Sequence, residues 1–120
     1  MVGMKVTEFG KFLRKLRIER DMLLKDMAAK LDVSSAFLSG LELGRKAISD
    51  SVIKNIAKEF NLSDEEVLEL SKAASVSQPQ VKIDLVGKST DEREIVVSFA
   101  RKYESLSAEQ KEQLKKLLED

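Results

Sequence analysis

The 120 residues predict an all-α fold: five helices over residues 6–74, a linker over 75–80, and a tail over 81–120 made of one short β-strand and a helical hairpin. Three observations carry this reading. Apolar residues recur at helical spacing along most of the chain. Ser and Thr stand just ahead of those runs, where a helix start needs a cap. Only one Pro and five Gly interrupt a sequence that is 42% hydrophobic and 35% charged.

Thr7 can cap a first helix running to about Arg20, after a loose lead over Met1–Lys5. Phe9, Phe12, Leu13 and Leu16 fall at i, i+3, i+4 and i+7 on one face, with Lys11, Arg14, Lys15 and Arg20 on the rest. From Leu23 to Gly44 two short helices follow, joined by a tight turn. Met27, Ala28 and Leu31 face inward on the first. Asp32-Val33-Ser34 breaks the pattern, and Ser34 or Ser35 can cap the next helix, because a hydroxyl accepts from the orphan amides of a new first turn. Phe37, Leu38 and Leu41 are the inward stripe of that helix, which covers 34–43 and stops at Gly44, a residue free to adopt the left-handed cap. Ser49 caps a fourth helix with Val52, Ile53, Ile56, Ala57 and Phe60 inside. Ser63 and Glu66 form a capping box for a fifth, with Val67, Leu68 and Leu70 apolar.

Ala73–Gln80, with the only proline, reads as the boundary. Val81, Ile83 and Leu85 then alternate with Lys82 and Asp84, the signature of a short strand. Alone it has unpaired groups on both edges, so it is expected to pair with its twin or with another protein. Gly87-Lys88-Ser89 ends it. Thr90 caps a helix over Asp91–Tyr103 with Ile95, Val96, Phe99, Ala100 and Tyr103 apolar. Ser107 and Gln110 form a capping box for Ala108–Glu119, with Leu114, Leu117 and Leu118 apolar. The hairpin's apolar face is too narrow for a core of its own. Val81, Ile83, Leu85, Ile95, Val96, Phe99 and Tyr103 are therefore expected to contact a dimer mate or another partner.

Helix, turn of three to four residues, helix is the helix-turn-helix arrangement, whose second helix can enter a DNA major groove. From Phe9 to about Leu68, roughly half the chain, the sequence resembles the Xre group of helix-turn-helix proteins, which includes the Cro and lambda-type phage repressors. The matching residues are Leu13, Leu16, Arg17, Met27, Ala28, Leu31, Val33-Ser34, Leu38-Ser39, Leu41-Glu42, Gly44, Ile53 and Ile56-Ala57. The resemblance implies a five-helix lambda-repressor-like domain and sequence-specific DNA binding by a transcriptional regulator. It also implies a structural ion pair between Arg17 and Glu42, tying the first helix to the third. Three positions depart from the family pattern. Asp21 stands where Gly is usual, Leu23 where a Ser or Thr cap is usual, and Leu24 where a Gln reaches the DNA backbone.

Recognition then falls to Ser34, Ser35, Ala36, Ser39 and Gly40, opposite the buried stripe. None of them makes bidentate base contacts. Ser can donate to or accept from any base edge, Ala36 can touch a thymine methyl, and Gly40 permits close approach. Reading through water or DNA shape is the expectation. Lys25, and Arg45 with Lys46 past the Gly44 stop, are candidates for phosphate contacts, which fix register without reading sequence.

The chain has no His and no Cys. The commonest acid-base group, metal ligand and thiolate nucleophile are therefore missing, and no phosphate-loop motif is present. No catalytic residue, metal site or cofactor is expected. No apolar run approaches the ~18 residues of a membrane span, and the opening MVGMKVTEF lacks a signal peptide's apolar core, so a cytoplasmic protein with no membrane contact is expected. The net charge of zero hides an asymmetry: residues 1–58 hold twelve Lys and Arg against seven Asp and Glu, and residues 59–120 nine against fourteen. The half with the helix-turn-helix is the basic half.

The expected partner is double-stranded DNA, bound by a homodimeric repressor at a palindromic operator, with residues 76–120 supplying the two-fold. A second reading is an antitoxin similar to HigA-type proteins, which represses its own operon and neutralises a toxin through residues 76–120. The unpaired strand over Val81–Val86 and the acidic second half motivate it. A third, an adaptor that binds only protein, predicts no DNA retention at low salt.

Overall fold

Among the described residues, six of the seven α-helices begin at a hydroxyl that accepts from an amide of their own first turn. Thr7, Ser34, Ser49, Ser63, Ser89 and Ser107 accept from Gly10, Phe37, Val52, Glu66, Glu92 and Gln110, each such cap contributing ~1 kcal/mol. The exception is Leu23, which has no side-chain acceptor. There the Asp26 carboxylate reaches back and accepts from the Leu23 amide at 2.9 Å. The structure, a computed structural model, describes residues 5–119; the first four residues of the expected lead, and Asp120, lie outside the described residues.

The caps fix α1 (Glu8–Glu19), α2 (Leu24–Leu31), α3 (Ser35–Glu42), α4 (Asp50–Glu59), α5 (Asp64–Ser75), α6 (Thr90–Lys102) and α7 (Ala108–Leu118), with a 3₁₀ turn over Tyr103–Ser105. α6 starts one residue earlier than expected, because Ser89 rather than Thr90 is its cap.

The predicted strand is not there. No strand occurs among the described residues, and the fold is all-helical. Val81 and Val86 are 85% and 84% exposed, and no neighbouring strand offers them a ladder. Period-two alternation alone does not hold an extended segment. Asp84 instead accepts from the Val86 amide at 2.9 Å, and the Lys88 amide donates to the Leu85 carbonyl at 3.0 Å, so the chain turns at Gly87.

Residues 1–81 form one unit and 82–120 another. The first is built on apolar burial, which supplies most of the driving force of folding. Phe9 and Leu13 of α1, Met27 of α2, Leu38 of α3, Ile56 of α4 and Leu70 of α5 are fully buried together. Ser77 and Gln78, within the stretch expected as linker, fold back onto this unit. The Ser77 hydroxyl accepts from the Phe9 amide at 3.0 Å and donates to the Ala73 carbonyl at 2.6 Å.

The second unit comprises α6, the 3₁₀ turn and α7, and neither α6 nor α7 has a buried residue. Counted by unit, the charge asymmetry disappears. The first holds thirteen Lys and Arg against twelve Asp and Glu, the second eight against nine. The acidic surplus of the second half lies in Glu59, Asp64, Glu65, Glu66 and Glu69, at the end of α4 and the start of α5.

Candidate nucleic-acid interface

α3 is held by its buried side and presents the other. Leu38 and Leu41 are buried against α1 and α2, while Ser34, Ser35 and Ala36 are exposed at its N-terminal end. The turn ahead of it runs through Asp32 in the left-handed region (φ 58°), which closes α2 and redirects the chain. The Asn55 side-chain amide of α4 donates to the Leu31 carbonyl at 2.9 Å, satisfying an end of α2 that would otherwise be open.

The C-terminal end of α3 is fixed more strongly. Glu42 is 2% exposed. Its carboxylate accepts both guanidinium nitrogens of Arg17, at 2.6 and 3.0 Å, with Arg14 at 3.6 Å. Its backbone carbonyl accepts from the Thr7 amide at 3.1 Å and the Thr7 hydroxyl at 2.8 Å. Gly10 lies against this carbonyl so closely that an added Cβ would collide with it. α1 and α3 therefore meet at a contact that only glycine allows. The bidentate pair fixes orientation as well as distance.

Past α3 the chain closes a Schellman cap. Gly44 takes φ 74°, its amide donates to the Leu41 carbonyl, and the Arg45 amide donates to the Gly40 carbonyl at 2.9 Å. This turn brings Lys46 back along α3. Its methylene stem packs over Gly40, where an added Cβ would meet it at 3.0 Å, and its ammonium lies 5.9 Å from the Phe37 ring centre.

The expected recognition residues thus separate. Ser34, Ser35 and Ala36 are exposed, Ser39 is half-buried, and Gly40 is buried beneath Lys46. Lys25 is exposed at the start of α2, and Arg45 and Lys46 are exposed beyond the end of α3. Asn55 closing α2 and Thr7 seating α3 were not readable from spacing, since each is a long-range contact, and Lys46 reaches Gly40 only because the chain reverses at Gly44. Gly10 carried the one local signal, a glycine inside an otherwise favourable helix.

In the second unit, Ile83, Ile95, Val96 and Phe99 line an apolar groove together with Leu114 and Leu118. Tyr103 packs against Phe99 in a tilted arrangement, with ring centres 5.6 Å apart. Leu85 is half-buried, and Val81 belongs to the first unit. No group of three or more His, Cys, Asp or Glu able to hold a metal occurs among the described residues, and no described helix is long and apolar enough to cross a membrane.

A short helix clamped at its C-terminus, with small residues exposed at its N-terminus and Lys46 folded back along it, has the form of the second helix of a helix-turn-helix. A family model described as Helix-turn-helix, a DNA-binding domain family, matches residues 13–67, consistent with an Xre-type regulator over that part of the chain. No curated protein and no solved structure matches the chain significantly.

Proposed function

We propose that the chain is a dimeric transcriptional repressor that places α3 in the major groove of a palindromic operator. The observation that carries the reading is the exposure of Ser34, Ser35 and Ala36 on a helix fixed by the Arg17–Glu42 pair, between the cations Lys25 and Lys46. A rigid frame matters because a base contact is worth ~1–3 kcal/mol only if its geometry is kept. Small side chains let α3 approach the groove floor, and discrimination then comes through bridging water and DNA deformability. Lys25, Arg45 and Lys46 take the phosphates. One domain of this size makes few contacts, so two half-sites a helical turn apart are needed for useful specificity.

The toxin-neutralising reading rested on an unpaired strand at Val81–Val86 and an acidic tail. The first is absent and the second unit is within one charge of neutral, so the repressor reading stands ahead.

The test is a gel shift on the DNA upstream of the chain's own gene, with competitor DNA, using residues 1–120 and residues 1–81. Tight binding by the longer form and much weaker binding by the shorter supports the dimeric repressor. Equal binding by both removes the tail from DNA binding. No retention by either at low salt sinks the reading.

A further inference from the structure

Residues 82–120 present an apolar surface that α6 and α7 leave uncovered. Ile95 and Leu118 are 70% and 72% exposed. Between the two helices runs a groove of about 330 Å³ lined only by Ile83, Ile95, Val96, Phe99, Leu114 and Leu118. A unit of under ~40 residues buries too little to hold itself together without a cross-link or a partner, and this one has no cysteine.

The charges on α6 say what fits. Its first turns carry Asp91, Glu92 and Glu94 with one opposing Arg93, and its last turn carries Arg101 and Lys102. That order suits the helix macrodipole, but the macrodipole does not choose which edge of the helix a charge occupies. At the α-helical repeat, Asp91 and Lys102 fall on the same edge of the Ile95–Phe99–Tyr103 stripe. A two-fold interface must be complementary to itself. An antiparallel α6 pair satisfies that condition, because Asp91 of each copy then lies beside Lys102 of the other. Eight basic against nine acidic residues leave little net repulsion between two such units.

We infer that the α6–α7 hairpin is a two-fold interface with a second copy of this chain, α6 antiparallel to its mate and the apolar groove closed between them. The inference deepens the dimeric reading above, and its test uses no DNA, so a failure to dimerise and a failure to bind an operator are separate results.

The experiment is sedimentation equilibrium of the whole chain and its variants over a micromolar dilution series. The whole chain sediments at twice its 13.5 kDa mass, and Phe99→Glu in the groove sediments as a monomer. Asp91→Lys and Lys102→Glu each raise the dissociation constant about tenfold, since two ion pairs become two like-charge contacts. The double variant Asp91→Lys/Lys102→Glu returns it to the original value. A chain that is monomeric throughout overturns the inference, as does a dimer indifferent to Phe99→Glu. A double variant as weak as either single one overturns the antiparallel α6 pairing, and it does so whether or not Phe99→Glu folds.

Discussion

Gln78 pairs with the backbone of Ile48 as a neighbouring strand would. Its amide nitrogen donates to the Ile48 carbonyl and its amide oxygen accepts from the Ile48 amide, both at 2.8 Å. Ser77 beside it satisfies the Phe9 amide within the core. The helical domain therefore ends after Gln78, not at the last turn of α5. A chain ending at Ala74 should be less stable than one ending at Val81 by ~2–4 kcal/mol, at ~1 kcal/mol per lost hydrogen bond plus the cost of a stranded buried amide. Urea melts of the two forms measure it. Equal midpoints would show that Ser77 and Gln78 add nothing.

Arg17 and Glu42 are a pair whose value depends on keeping both. Arg17→Ala leaves a buried carboxylate, and the expected loss is ~3–5 kcal/mol. Replacing both at once, Arg17→Met with Glu42→Leu, should cost less than Arg17→Ala alone, because no charge is then stranded. Arg17→Lys recovers only part, since a lysine cannot make the two parallel bonds. A double-mutant cycle in urea decides this. Additive losses would mean that the two side chains do not act as a pair.

The first five helices were legible because their signals are local: an apolar stripe at helical spacing and, for all but α2, a hydroxyl ahead of it. The expected Arg17–Glu42 pair came from the family resemblance, not from spacing, and it spans 25 residues. What spacing could not give is what joins distant elements. Val81–Val86 has the alternation of a strand, yet a strand exists only if another lies beside it, and alternation says nothing about neighbours. Gln78 sits in a composition typical of linkers, but its two hydrogen bonds to a residue 30 positions away make it part of the domain. Gly40, read from its place on α3 as permitting close approach, is instead covered by the Lys46 stem.

The carboxyl of Glu66 has a lowered pKa. The Ser63 amide and then the Ser63 hydroxyl stabilise its carboxylate, so it titrates below the usual glutamate range. A group with a lowered folded value contributes stability that is complete above its unfolded value and is lost as pH falls through the folded one. Glu66→Gln should therefore lower stability at neutral pH, leave it nearly unchanged at low pH, and so flatten the acid limb of the stability profile. A carbon-detected NMR titration of the Glu66 carboxyl checks the premise, and an ordinary midpoint would remove it.

Asp21 occupies the left-handed region with φ 51°, where the resembling family carries glycine. Holding a side chain there costs ~1 kcal/mol. Asp21→Gly should raise stability by ~0.5–1 kcal/mol, read as a higher melting temperature. A fall would mean that the Asp21 carboxylate makes a contact worth more than the strain.

Lys46 lies along α3 because Gly40 leaves room for its stem, and this links a helix-interior glycine to the cations proposed to meet DNA phosphates. Gly40→Ala removes an unfavourable residue from the helix, a gain of ~0.5–1 kcal/mol, but the new methyl must push the Lys46 stem aside from a 3.0 Å approach. The stem is flexible and can give way, so the domain should stay folded and close to its original stability. Its ammonium, however, loses its fixed position. Affinity for every DNA sequence should fall severalfold, and the effect should vanish in a Lys46→Ala background. Replacing Arg45 and Lys46 together by Ala should weaken binding to all sequences and reduce the salt slope by about one to two units, one for each lost phosphate contact. Substituting Ser35 or Ala36 should instead change which operator is preferred. Fluorescence anisotropy against a salt series, on two unrelated duplexes, separates these outcomes. A Gly40→Ala protein that binds as before would show that Lys46 need not be held for the contact it makes.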